Sequence, residues 1–230
     1  MKSDELLDQL VKVRFMEWQR RDRCEEVDPG PVVTVSREPG CGGESIAQRL
    51  SAELKLHLYS WEIVEQIAKD IHVSTQVVST LDEKTRSEME DWLGSFQGNR
   101  SLSSYAYVET LKKVVFAIAA HGSAIILGRG SNFFLPLEKR IGLCLVAPLD
   151  VRIRNVMSEL RCSEGRARDH IVKLETEHRK FVKKYFGGDI RDPTRYHLVV
   201  NTALLEPKTI VQIVKGLIED KTSSHRPICG

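Results

Sequence analysis

Val32-Val-Thr-Val-Ser-Arg-Glu-Pro-Gly-Cys-Gly-Gly-Glu-Ser-Ile-Ala47 is the stretch on which the reading of this chain turns. It opens with β-branched residues, the kind that fill a parallel strand buried on both faces. A glycine-rich turn follows at once, Arg37 to Ser45. Ile46, Ala47, Leu50, Ala52 and Leu54 then continue at helical spacing. Strand, glycine turn and helix form the unit from which phosphate sites are built. Gly40, Gly42 and Gly43 permit positive φ and turn backbone N–H groups inward as an anion-binding nest. The helix that begins directly after would face the same anion with its positive N-terminal end.

The match to GxxxxGK[ST] is incomplete. Aligning Gly43-Glu44-Ser45 with its last three residues puts Ser45 where a hydroxyl coordinates Mg²⁺, but Glu38 at the first glycine and Glu44 at the lysine. A glutamate there has the wrong sign for the point charge that bridges β- and γ-phosphates. Two other readings of the stretch stand beside this one. One is a glycine turn with no nucleotide role. The other is the dinucleotide pattern Gly40-x-Gly42-x-x-Ser45, which wants an acidic residue ending the second strand about 20 residues on, where Ser60 and Glu62 serve poorly.

Outward from the turn, strands are expected at 57–59, 124–127, 143–147 and 197–201. Helices are expected at about 61–70, 74–84, 103–120, 150–160, 163–186 and 207–220. Alternating strands and helices imply parallel βαβ units and a doubly wound α/β sheet. Residues 3–26 carry Leu6, Leu7, Leu10, Val11, Phe15 and Trp18 at helical spacing and end at the Asp28-Pro-Gly-Pro breaker. This divides the chain into an N-terminal helical extension over 1–28, a main domain over 29–221 and a flexible tail over 222–230. The polar, turn-rich interval 85–104 is expected to be a mobile insertion near the site mouth.

Over the 230 residues, 41% are hydrophobic and 29% charged, an ordinary globular balance. With 34 Lys+Arg against 32 Asp+Glu the net charge is +2, which argues against a nucleic acid polymer held by bulk electrostatics. No apolar run approaches the ~20 residues of a membrane span, and the acidic start is unlike a signal peptide. Cys24, Cys41, Cys144, Cys162 and Cys229 are odd in number and lack a CxxC pair, which reads as reduced thiols in the cytoplasm. The seven histidines show no HxxxH spacing, so no zinc set is expected. The charge is uneven: residues 151–195 hold twelve Lys/Arg against seven Asp/Glu. Such a segment suits a small, highly phosphorylated ligand. Arg166, Lys180 and Lys184 within it read as a solvated helix face.

Four ordered blocks together carry a resemblance. Val33 to Ala47 resembles the opening of the cytidylate-kinase-like family of P-loop proteins, and Leu127-Gly-Arg-Gly130 is similar to its Gly-Arg-Gly segment. Val146-Ala-Pro-Leu-Asp-Val-Arg152 resembles its Ala-Pro-x-x-x-Arg run, and Gly188-Asp-Ile-Arg-Asp-Pro-x-x-Tyr196 with Asn201-Thr202 its C-terminal block. The likeness covers about 32–215. It implies a P-loop nucleoside monophosphate kinase fold, a five-stranded parallel sheet flanked by helices, with an arginine-bearing lid over about 151–195. It implies transfer from ATP, with Mg²⁺, to a small-molecule nucleotide, CMP or dCMP being the leading acceptor. One departure is Ser60-Trp61, ahead of Glu62, where relatives often carry an acidic–basic pair. A nucleotide-binding regulatory protein without transfer, or a kinase of another small molecule, are the alternatives on the same fold.

The expected site follows. Gly40, Cys41, Gly42, Gly43, Glu44 and Ser45 would hold ATP, with Ser45 on Mg²⁺. Arg152 and Arg179 would contact the ATP phosphates, and Arg129 the acceptor phosphate. Arg37 and Glu62 are further substrate-binding candidates, although Arg37 could instead pair with Glu38 or Glu44. Cys41, in a nest at a helix N-terminus, could have a lowered pKa and a redox role, or simply replace a serine of similar size.

Overall fold

The structure, a computed structural model, describes residues 29–69, 71–94, 102–128 and 130–224. The expected helix over 3–26, Arg129 and residues 225–230 lie outside the described residues. Five strands, β1 (Val32–Arg37), β2 (His57–Ser60), β3 (Ala124–Leu127), β4 (Ile141–Val146) and β5 (Leu198–Asn201), form one sheet in the order β2-β3-β1-β4-β5. This is the α/β sheet expected from the strand–helix alternation. Val33 lies opposite Ile141 and Arg37 opposite Leu145 in a parallel pair, and Leu143 opposite Leu198 in the next. Strand β1 is central, with β3 on one side and β4 on the other. Its carboxyl end is therefore the switch point at which open α/β sheets bind ligands.

From that end, after the glycine turn, runs α1 (Gly43–Leu54). Its Ile46, Ala47 and Leu50 recur at helical spacing and are buried against Val33, Val35, Leu143 and Leu145 of the sheet. The last described helix, α8 (Pro207–Ser224), adds Ile210, Val211 and Val214 to the same core. Truncating Leu50, fully buried at the centre, would cost about 2–5 kcal/mol. After β4 come α6 (Leu149–Leu160) and α7 (Glu164–Phe186), packed through Ile153 and Val156 against Ala167 and Ile171. The far end of α7 sets Phe181 and Phe186 against Phe134, with ring centroids 6.3 and 4.8 Å away.

The described residues divide into two compact units, one comprising Pro31–Leu58 and residues 125–224, the other Tyr59–Ala124 with residues 29–30. The second unit is helical: α2 (Trp61–Lys69), α3 (Ile71–Ser79), α4 (Glu83–Gly94) and α5 (Leu102–His121). Helix α5 buries Leu111, Val114, Val115, Phe116, Ala117 and Ile118, so it is apolar nearly all round. That pattern belongs to the central helix of a bundle.

Two elements differ from the sequence expectation. The helix expected over 74–84 ends at Ser79, and α4 occupies the first part of the 85–104 interval. The cause is Asp82, whose carboxylate accepts the Thr85 backbone N–H at 2.7 Å and the Thr85 hydroxyl at 2.9 Å, capping a new helix. Those bonds hold its pKa below the usual carboxylate value.

Candidate functional site

Strand β1 delivers Ser36 and Arg37 to the carboxyl edge of the sheet, and the chain turns through Glu38–Gly42 into α1. The Cys41 N–H donates to the Glu38 carbonyl at 3.2 Å, closing the turn. Gly40 and Gly42 have φ of 82° and 75°, and Gly42 caps α1. At Gly40 the glycine is required twice, because a Cβ there would also lie 2.6 Å from the Arg152 carbonyl oxygen.

The loop is tied down from behind. Asn155 Nδ2 donates to the Gly40 carbonyl at 2.8 Å, and the Thr202 hydroxyl donates to the Cys41 carbonyl at 2.8 Å. The Glu38 N–H donates to Leu145 O at 3.0 Å. With these carbonyls held backward, and the Glu38 and Cys41 N–H groups already bonded, the N–H groups of Gly42, Glu44 and Ser45 are left for an anion, while that of Gly43 faces the Cys41 sulfur. Ser45 is exposed in that first turn, and its hydroxyl bonds to no group among the described residues. Glu44 beside it is exposed as well.

Arg152 is at the expected place, just past the carboxyl end of β4, but its guanidinium already has partners. It is 7% exposed; Nη1 lies 2.6 Å from Glu175 Oε1, and Nε donates to Ala147 O at 3.0 Å. Glu38 Oε2 is 3.5 Å from the same Nε and accepts the Ala147 N–H at 3.1 Å. Arg152 therefore links the loop, the β4–α6 turn and α7.

Arg179 lies one turn after Glu175 on α7 and is exposed. It lines a cavity of about 230 Å³ with Ser36, Arg37, Glu38, Arg191 and Tyr196. Among the described residues neither Arg179 nor Arg37 has a carboxylate partner, so the pairing of Arg37 with Glu38 or Glu44 is not formed. Tyr196 donates its hydroxyl to Ile190 O at 2.7 Å, holding the segment after α7 beside the cavity. Burial raises the Tyr196 pKa, so it remains a neutral donor.

The structure thus brings Arg37, Gly40–Ser45, Arg152 and Arg179 into one unit. Glu62, exposed in the first turn of α2, belongs to the other unit, and Arg129 lies outside the described residues. A lowered pKa for Cys41 is corrected: burial pushes its thiol up to about 11, outweighing the Gly43 N–H and the Arg37 charge that favour the thiolate. Sequence reasoning missed Asn155 as a partner of the loop, and Glu38 and Glu175 as partners of Arg152. Thr202 carried a signal as part of the C-terminal block. Glu175 could have been noticed as the carboxylate one helical turn before Arg179.

The model of the cytidylate kinase-like family matches residues 32–204. A cytidylate kinase from Sulfolobus acidocaldarius is 27% identical over 190 residues, which are 82% of this chain and 94% of that one. One from Ignicoccus hospitalis is 24% identical over 188 residues, 81% of this chain and 98% of the other. Among solved structures, an uncharacterized protein from Eubacterium ventriosum superposes with a TM-score of 0.62 at 17% identity, covering 83% of this chain and 98% of that one. That likeness extends to the fold alone. With a glycine nest at the switch point, a sheet in the order β2-β3-β1-β4-β5 and a family match across both, the chain belongs to the cytidylate kinase-like family.

Proposed function

We propose that the protein transfers the γ-phosphoryl group of ATP to a nucleoside monophosphate, with CMP or dCMP as the leading acceptor. The observation that carries this reading is the loop itself, whose carbonyls are held back by Asn155 and Thr202 while its amides are left for phosphate. The N–H groups of Gly42, Glu44 and Ser45 would bind the triphosphate, with that of Gly43 turning to it from the Cys41 sulfur. Ser45 suits Mg²⁺, which takes few protein ligands and keeps the rest of its shell as phosphate and water. Bound there, the ion would supply positive charge to the phosphates.

In phosphoryl transfer the protein contributes mainly position and charge. Arg179, exposed beside the loop and without a carboxylate partner, is suited to the oxygens of the moving group. Arg152, answered by Glu175 and Glu38, would act by fixing the loop. Arg129 is assigned the acceptor phosphate from the Gly-Arg-Gly resemblance, with Glu62 on the acceptor side. The preference for cytidine is supported by the curated relatives rather than by any contact in this chain. No helix among the described residues is long and apolar enough to cross a membrane, and a cytoplasmic location is part of the same proposal.

The test is ADP release with Mg·ATP and a panel of CMP, dCMP, UMP, AMP and GMP. Release with CMP or dCMP above the others is the expected outcome, and Arg129→Ala should lower kcat/KM on the order of 10²-fold. Transfer unaffected by that change would remove Arg129 from the site. The exposed Glu44 favours one second reading, a regulatory protein that binds nucleotide without transfer; ATP binding with no ADP release on any acceptor would establish it.

A further inference from the structure

The loop has a charge deficit. A P-loop normally carries a lysine in the first turn of its helix, and here Glu44 occupies that position. The geometry around Gly43 shows the stem of another basic side chain lying over the same end of the helix. A Cβ on Gly43 would lie 2.8 Å from Arg37 Cδ, 2.9 Å from Arg37 Cβ and 3.4 Å from Arg37 Cγ. The stem of Arg37 therefore lies over the first residue of α1, in the space a side chain at 43 would need. Gly43 does not have positive φ, so its glycine answers to this contact and not to backbone conformation.

Arg37 ends β1 at the switch point and is half-buried. Glu38 and Glu44 are both close in sequence, but among the described residues no carboxylate pairs with it. The charge does act on the loop, where it favours the ionised form of Cys41. An unpaired, half-buried guanidinium beside an anion nest is costly unless an anion answers it. Glu38, the other neighbour, is occupied with Ala147 and Arg152 and does not compensate it.

We propose that Arg37 takes the place of the missing P-loop lysine, delivering its cation to the bound polyphosphate from the end of β1, across Gly43. The proposal rests on the nest being a nucleoside triphosphate site. A fork from the strand replaces a point charge from the helix, and a guanidinium can bond phosphate oxygens bidentately. Glu44 is tolerated because its own side chain is exposed, and the cation comes from the other side of the turn.

If one cation does the work of the other, restoring lysine at 44 should compensate for losing arginine at 37. The measurement is equilibrium binding of ATP, ADP and adenosine to wild type, Arg37→Ala, Glu44→Lys and the double variant, with turnover followed in parallel. Arg37→Ala is expected to weaken ATP and ADP on the order of 10- to 100-fold and leave adenosine nearly unchanged. The double variant should recover most of that loss. Gly43→Ala, which displaces the Arg37 stem, should weaken ATP in wild type and add little to Arg37→Ala. Unchanged ATP affinity in Arg37→Ala, an equal loss for adenosine, or no recovery in the double variant overturns the proposal. If Arg37→Ala does not fold, Gly43→Ala and Arg37→Lys carry the test, and full affinity in Gly43→Ala overturns it. Wild type that binds ATP without transfer would refute the kinase reading and leave this assignment open to the same binding series. Wild type that binds no ATP refutes both.

Discussion

A guanidinium as deeply buried as Arg152 must have its charge answered locally, and Glu175 and Glu38 do so. Removing either carboxylate strands a charge whose other partners are mainly backbone carbonyls. Glu175→Ala should therefore destabilise the protein by about 2 kcal/mol, with Glu175→Gln losing less because its amide oxygen can still accept. In a chain of this size that lowers Tm by roughly 4–8 °C. Arg179 follows Glu175 by one turn of α7, so turnover should fall with the same change while the affinity for adenosine does not. A Glu175→Ala protein with unchanged Tm would show that Arg152 is held by the loop alone. Cys41 shows the same balance of burial and charge. Its thiol, raised to about 11, stays protonated at neutral pH, and iodoacetamide at pH 8 should modify it only after unfolding. Rapid labelling in the native protein would contradict the burial seen here.

At the scale of elements, β1, the glycine turn and α1 act as one part whose tolerance differs from residue to residue. Gly40 needs positive φ and abuts the Arg152 backbone, which cannot move without α6. Gly40→Ala should cost more than about 2 kcal/mol and abolish stabilisation by ADP. Gly42 has similar φ, but nothing lies within 4 Å of a Cβ placed there, so Gly42→Ala should cost only about 1 kcal/mol. Equal Tm losses would mean that φ alone matters and the packing against α6 does not. This part was the most legible from sequence, because β-branched residues, glycines and the spacing of Ile46, Ala47 and Leu50 all encode local structure. Helix α4 was not legible. Among its residues only Met89 is buried, so the apolar period is too faint to see, and its start depends on the Asp82 cap. Asn155 and Thr202 reach the loop across 115 and 161 residues of sequence, and Glu175 reaches Arg152 across 23, relations no local pattern carries. The tertiary partners of Arg152, and hence whether its charge is spent, could be learned only from the fold.

The whole molecule carries a charge close to zero, yet its buried ionisable groups pull stability in opposite directions at alkaline pH, and they are divided between the two units. In the helical unit, burial lowers the Lys112 pKa from 10.5 to about 8. Between those values the unfolded chain holds a proton that the folded one has released, so stability rises with pH across that window. In the other unit, burial raises Cys41 from 9.0 to about 11 and Cys144 to about 12. Above pH 9 the folded form keeps protons that the unfolded chain loses, and stability falls. Lys221, lowered from 10.5 by burial and by Arg140, offsets part of that fall. Arg140, lowered to about 10 by burial, adds to that offset toward pH 10, and Tyr196, raised by burial, adds to the fall; with two cysteines on the same side the net change between pH 9 and 10 is still a loss. Calorimetry in reductant from pH 8 to 10 should therefore show the unfolding of the helical unit gaining stability and that of the sheet-containing unit losing it above pH 9. Lys112→Met should flatten the first trend and Cys144→Ala should weaken the second, each leaving the other unchanged. A single transition whose pH dependence responds to neither substitution would mean that these groups ionise alike in the folded and unfolded chains. The burial that sets their pKa values would then not persist in solution.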